Sequence, residues 1–150
     1  MNAESTRDAR PTDCPCGGAA PNRAAGAKAP PYVQCCGRFI DGGEVPPTAL
    51  ELMRSRYTAY VLGEAAYLRA TWASETCPAD LDVDPAAPGA PRWLGLAIRR
   101  HAVLDPTHAE VEFVARYKSG GRAFRLHESS RFVRGDDARW RYFDGDIRED

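Results

Sequence analysis

Thr48-Ala-Leu-Glu-Leu-Met-Arg-Ser-Arg-Tyr-Thr-Ala-Tyr-Val-Leu-Gly63 carries a full set of helix signals. Pro46-Pro47 stops the preceding chain, Thr48 is placed to cap the first turn, and Glu51 is placed to reach back in a capping box. Leu50, Met53, Tyr57, Tyr60 and Val61 recur at helical spacing, which assigns Glu51, Arg54, Ser55 and Thr58 to the wet side. Gly63 supplies the left-handed residue that ends a helix. Glu64–Ala73 restarts a second helix with Ala65, Leu68 and Trp72 inward, so the pair reads as a helical hairpin. The Pro- and Asp-rich stretch Ser74–Pro91 has no regular period and reads as a loop.

Beyond that loop the period drops to two. Arg92–Leu104 sets Leu94, Leu96 and Ile98 against Trp93, Gly95 and Ala97. Asp105-Pro106-Thr107-His108 is a turn, and Glu110–Lys118 puts Val111, Phe113, Ala115 and Tyr117 on one face. Gly120-Gly121 supplies a tight hairpin before a third strand, Ala123–Arg134, with a bend expected near Ser129-Ser130. Arg139–Phe143 is a fourth strand. A helical hairpin followed by an antiparallel meander predicts an α+β fold, with the helices packed on one face of a curved sheet.

Working toward the N-terminus, the composition changes. Residues 1–47 hold 7 of the 12 prolines and 6 of the 13 glycines with few large apolar side chains, so no hydrophobic core can form there unaided. The expected organisation is a disordered tail over residues 1–12, a small metal-held segment over 13–45, and an α+β domain over 46–150. The chain of 150 residues is 43% apolar and 27% charged, enough for one packed domain. Its net charge of −1 argues against a protein that grips a nucleic-acid backbone. No apolar run is long enough to cross a bilayer, and the polar start resembles no secretory signal, so a cytoplasmic location is expected.

Four of the five cysteines cluster as Cys14-Pro-Cys16-Gly, an 18-residue spacer, and Cys35-Cys36-Gly. In a cytoplasmic chain such a cluster more often holds metal than disulfides. Four sulfurs fill the tetrahedral shell zinc prefers and leave no open position, which points to a structural site. A regulatory dithiol and ordinary free thiols are the other readings of the same residues. Cys77 stands alone in the loop and reads as an incidental thiol.

Cys14-Pro-Cys16-Gly17 with Tyr32-Val-Gln-Cys35-Cys36-Gly37 resembles the SEC-C zinc motif, first known at the C-terminus of the SecA translocation motor, with the spacer lengthened by a loop over Ala19–Ala29. Loop extension of this kind costs little closure entropy. Leu52-Met-Arg54-Ser-Arg56-Tyr57, Trp93-Leu-Gly-Leu96, Val111-Glu-Phe-Val-Ala-Arg116-Tyr117, His127-Glu128-Ser-Ser-Arg131-Phe132 and Trp140-Arg-Tyr142-Phe-Asp144-Gly145 resemble the YchJ family. The likeness covers about residues 13–146. It implies an N-terminal zinc knuckle followed by a nuclear-transport-factor-2-like (NTF2-like) cone, in which helices and a bent sheet surround a pocket. It also implies a protein partner for the knuckle, chaperone- or ribosome-associated.

The fold alone names no activity. The expected cavity lining is Arg56, Tyr57, Tyr60, Trp72, Trp93, Phe113, His127, Glu128 and Arg131. An Arg of the Arg54-Ser-Arg56-Tyr57 segment is expected to clamp a sheet carboxylate such as Glu128. If the cone instead holds a small anion, Arg131 or Arg56 should point inward without a carboxylate partner. His127 and Glu128 are neighbours on a strand and should face opposite ways. The reading that results is a zinc-binding, non-enzymatic interaction module whose cone takes a small ligand. The alternative is a small-molecule enzyme working through Tyr57, His127 and Glu128.

Overall fold

Thr48 opens the longest helix as its sequence requires. In the computed structural model, which describes residues 10–18 and 29–148, the Glu51 N–H donates to Thr48 Oγ1 at 3.1 Å and the Thr48 hydroxyl donates to Glu51 Oε1 at 3.2 Å. A short helix, α1 (Gly37–Ile40), precedes this one, α2 (Ala49–Leu62), and α3 (Ala65–Ala70) follows it. Gly63 ends α2 at φ +79°, where a Cβ would also strike the Pro85 ring. The tail expected over residues 1–12 and the loop expected over Ala19–Pro31 lie, for residues 1–9 and 19–28, outside the described residues.

The sheet is an antiparallel meander in chain order: β1 (Arg92–Asp105), β2 (His108–Ser119), β3 (Arg122–Arg134) and β4 (Trp140–Arg148). Gly120 and Gly121, both at positive φ, make the β2–β3 turn. Irregularities at Trp93/Gly95, Ile98/Arg100 and Val103/Asp105 bend β1 along its pairing with β2. The bend expected at Ser129-Ser130 does not interrupt β3, which pairs with β2 without a shift; the irregularity lies across from Arg131/Phe132, where Phe143 of β4 is the extra residue. β4 runs five residues beyond Phe143, because the pairing of His127 through Ser130 needs partners as far as Arg148.

The second helix is shorter than its periodicity predicts. At Thr71 the chain leaves helical geometry and joins the sheet: Tyr142 N–H donates to Thr71 C=O at 2.9 Å, and Ala73 N–H to Tyr142 C=O at 2.8 Å. The outer edge of β4 offers unpaired backbone groups, and satisfying them outweighs one more helical turn.

The largest departure concerns the wet side of α2. Arg54, Ser55 and Thr58 are buried, with Ser55 and Thr58 fully so. α2 is covered on both sides. Leu52, Met53 and Tyr57 pack toward Val111, Phe113 and Phe132 of the sheet in one continuous core. On the reverse, Ser55 Oγ donates to Leu52 C=O at 2.7 Å and shares a 2.7 Å hydrogen bond with Tyr67 of α3, while Thr58 meets the cysteines. No helix among the described residues is long and apolar enough to cross a membrane.

Candidate functional site

Two sites flank α2. On its outer side Cys14, Cys16, Cys35 and Cys36 bring four buried Sγ atoms within 4.8 Å of one another, with Cys14–Cys16 at 3.5 Å and Cys16–Cys35 at 3.6 Å. A tetrahedron with ~2.3 Å metal–sulfur bonds has edges of about 3.8 Å, so the spacing fits such an ion. Local backbone builds the cluster. Cys14 N–H donates to Pro30 C=O at 2.8 Å, pinning the first pair beside the second. Gly17 and Gly18 take positive φ, and Gly18 N–H points at Cys16 Sγ, 3.3 Å away. Gly37 lies so close to Tyr32 that a Cβ there would collide with its carbonyl.

Contact with the neighbouring sulfurs pulls the Cys14 thiol below its ordinary range, while Cys16 and Cys36 are pushed up by sulfur contacts and by burial. Four adjacent sulfurs cannot all ionise without a cation between them. Thr58 Oγ1 donates to Cys36 Sγ at 3.3 Å and lies 3.9 Å from Cys14 Sγ, so α2 itself supports the cluster. Arg10 bridges Asp41 at 2.9 Å and Glu64 at 2.7 Å, and Tyr32 Oη donates to Asp41 at 2.9 Å, tying the knuckle to the α2–α3 corner.

On the inner side, α2 and the concave sheet face enclose a cavity of about 230 Å³. Tyr57, Tyr60, Trp72, Trp93, Phe113 and Tyr142 supply aromatic walls, with Trp93 edge-on to Tyr57 at 5.8 Å. Burial pushes the Tyr57 hydroxyl up to about 12. Two charged side chains reach this lining, Arg56 and Glu128. The Arg56 guanidinium stacks 4.8 Å from the ring centres of both Trp72 and Tyr142. Its Nη1 donates to Leu68 C=O at 2.9 Å and to Thr71 Oγ1 at 2.8 Å, both neutral acceptors. Desolvation lowers its pKa. Glu128 accepts from Ser130 Oγ at 2.7 Å and from Tyr142 Oη at 3.0 Å. A side chain at Gly145 would occupy the space of this carboxylate.

A family model described as the YchJ middle NTF2-like domain matches residues 48–145. The chain belongs to the YchJ family. A UPF0225 protein of Cupriavidus metallidurans is 54% identical over 144 residues, covering 93% of this chain and 92% of its own length. One from Ralstonia nicotianae is 57% identical over 141 residues, covering 89% and 90%. The solution structure of a SEC-C motif containing protein from Rhodopseudomonas palustris matches with a TM-score of 0.72 at 26% identity, covering 91% of this chain and 99% of that one. The crystal structure of another, from Psychrobacter arcticus, matches with a TM-score of 0.67 at 30% identity, covering 92% and 84%.

In this YchJ-family chain, Arg56, Tyr57, Tyr60, Trp72, Trp93, Phe113 and Glu128 line the cavity, and His127 and Arg131 do not. Strand alternation sends both to the convex face. His127 Nε2 lies 2.7 Å from Glu112 Oε2, and Arg131 binds Asp144 at 2.6 Å and Asp146 at 2.8 Å. The expected clamp between an Arg of α2 and Glu128 does not form. Arg56 rests on the Tyr142 ring while Glu128 takes its hydroxyl, so the two engage different parts of one side chain and not each other. Thr58, Tyr142 and Gly145 escaped the sequence reading. Thr58 sits one position past Tyr57 and looks like a polar surface residue, and the roles of Tyr142 and Gly145 depend on strand register.

Proposed function

We propose that this protein is a zinc-stabilised binding protein whose NTF2-like cone takes up a small, single-ring ligand. The cavity carries the reading. At about 230 Å³ it falls just under the ~300–1,000 Å³ typical of drug-sized ligands, and aromatic faces dominate its walls. Cys14, Cys16, Cys35 and Cys36 would hold the zinc, which supplies a cross-link for a segment without a core of its own. With four sulfur ligands no position is left for an activated water. Binding rather than catalysis is favoured because His127, one of the three residues of the enzymatic alternative, faces away from the cavity and is engaged by Glu112.

The test is a phenol titration of the ¹⁵N-labelled, zinc-loaded protein followed by NMR. Shifts should concentrate on Tyr57, Trp72, Trp93 and Leu126, and Phe113→Trp, which fills the cavity, should abolish them. Shifts scattered over the surface, or unaltered binding by a folded Phe113→Trp variant, would remove the cavity as a ligand site.

A further inference from the structure

The cavity's two charges carry more than its size does. Arg56 is almost wholly buried, yet no carboxylate among the described residues pairs with it, and Nη1 alone is hydrogen-bonded, to neutral acceptors. A buried guanidinium held this way is short of a counter-ion, and its Nε and Nη2 donors have no partner among the described residues. Glu128 is built for the opposite task. Ser130 and Tyr142 both donate to Oε2, Gly145 leaves room for the carboxylate, and Oε1 has no donor among the described residues.

The Tyr142 ring sets the distance between them. Its face carries the guanidinium and its hydroxyl reaches the carboxylate, so the cation and the anion are offset along one phenol side chain, the first over the ring and the second past the hydroxyl. A ligand lying in the cavity beside that ring meets a cation over the ring, an acceptor past the hydroxyl, and aromatic walls from Tyr57, Trp93 and Phe113.

Building on the cavity reading above, we infer that this site selects a small aromatic carboxylate bearing a hydrogen-bond donor at the far end of its ring. The ligand carboxylate lies against Arg56, where it supplies the missing counter-charge. The ligand hydroxyl donates to Glu128. A neutral aromatic of the same shape leaves the buried cation uncompensated, and an acid without the hydroxyl leaves Glu128 unused.

Three single-ring probes separate these contributions, each titrated into the zinc-loaded full chain by calorimetry and ¹⁵N NMR. They are 4-hydroxyphenylacetate, its neutral counterpart 2-(4-hydroxyphenyl)ethanol, and phenylacetate, which lacks the hydroxyl. 4-Hydroxyphenylacetate should bind at least tenfold more tightly than either, with the Trp72 indole N–H signal among those that move. Arg56→Gln should erase the preference for the acid over the alcohol, and Glu128→Gln the preference for the hydroxylated acid over phenylacetate. Should Arg56→Gln fail to fold, the wild-type ranking and Arg56→Lys, which keeps charge but loses the planar fork, still decide. Equal affinity for the acid and the alcohol, with cavity signals shifting, overturns the selectivity and leaves the cavity reading intact. No cavity shift with any of the three overturns both.

Discussion

The knuckle and the cone solve one problem in opposite ways. Residues 13–45 have too few large apolar side chains to close around themselves, and four thiols take the place of a core. The cone has ample apolar surface and a continuous sheet, yet leaves its wide end unfilled. Between them runs α2, buried on both sides, with Thr58 touching the sulfurs and Tyr57 lining the cavity. Two regions that differ so much in composition nonetheless share one core, since the cysteines pack contiguously with Leu52, Met53 and Tyr57.

That shared core is most directly broken by removing the zinc proposed for the four cysteines. Stripping zinc with a chelator under reducing conditions should unfold the knuckle and also lower the melting temperature of the cone, by about 10 °C or more, because α2 loses its outer cover. A cone that melts unchanged after verified zinc loss would show the two regions to be independent. Tyr57→Ala comes next. Its ring is buried between Met53, Trp93 and the sheet, and truncation should cost about 3–5 kcal/mol in denaturant unfolding. An effect below ~0.5 kcal/mol would mean that the cavity already accommodates the loss.

Thr58→Val sharpens the comparison, since it keeps the shape and deletes the hydroxyl that donates to Cys36. Chelator competition should show zinc affinity falling roughly 10-fold, toward the lower end for outer-sphere partners, with the cavity undisturbed. The smallest effect belongs to the convex face. His127 holds the Glu112 carboxyl below its ordinary range, so this pair adds stability near neutrality that disappears as pH falls through the acid range. Glu112→Gln should therefore cost less than about 1 kcal/mol at pH 7 and nothing measurable at low pH. A larger loss, or one that persists in acid, would assign the residue a packing role.

What could be read in the sequence divides along the same line. The capping box at Thr48, the period-two signal of β2 and the two cysteine pairs are local signals, and each is found in place, whereas in β1 the slip at Trp93/Gly95 puts Trp93 instead of Leu94 on the face of Leu96 and Ile98. The burial of Ser55 and Thr58 is not local. It follows from Tyr67 of α3 covering Ser55 and from Cys36, more than 20 residues upstream, covering Thr58, and a period of 3.6 reports only one packed side. The cavity was half legible. The aromatic residues of α2 and the first strands could be assigned to it, but the face on which His127 and Arg131 lie depends on register, and Arg56 and Glu128 each find a partner in Tyr142, which only the folded sheet brings to them.

The crossing of residues 71–73 onto Tyr142 also bears on how the sheet avoids its own kind. A four-stranded open meander has two rims, and each is a template on which another chain could add a strand. On the β4 rim, Thr71 and Ala73 already occupy both backbone groups of Tyr142, so an incoming strand finds its run of partners broken midway. On the β1 rim the register slips three times over 14 residues, and exposed Leu94, Val103 and Leu104 never form a flat, continuous ribbon. The segment after α3, freed by the early end of that helix to reach the sheet, is thus a guard against self-assembly as well as, through Trp72, part of the cavity wall.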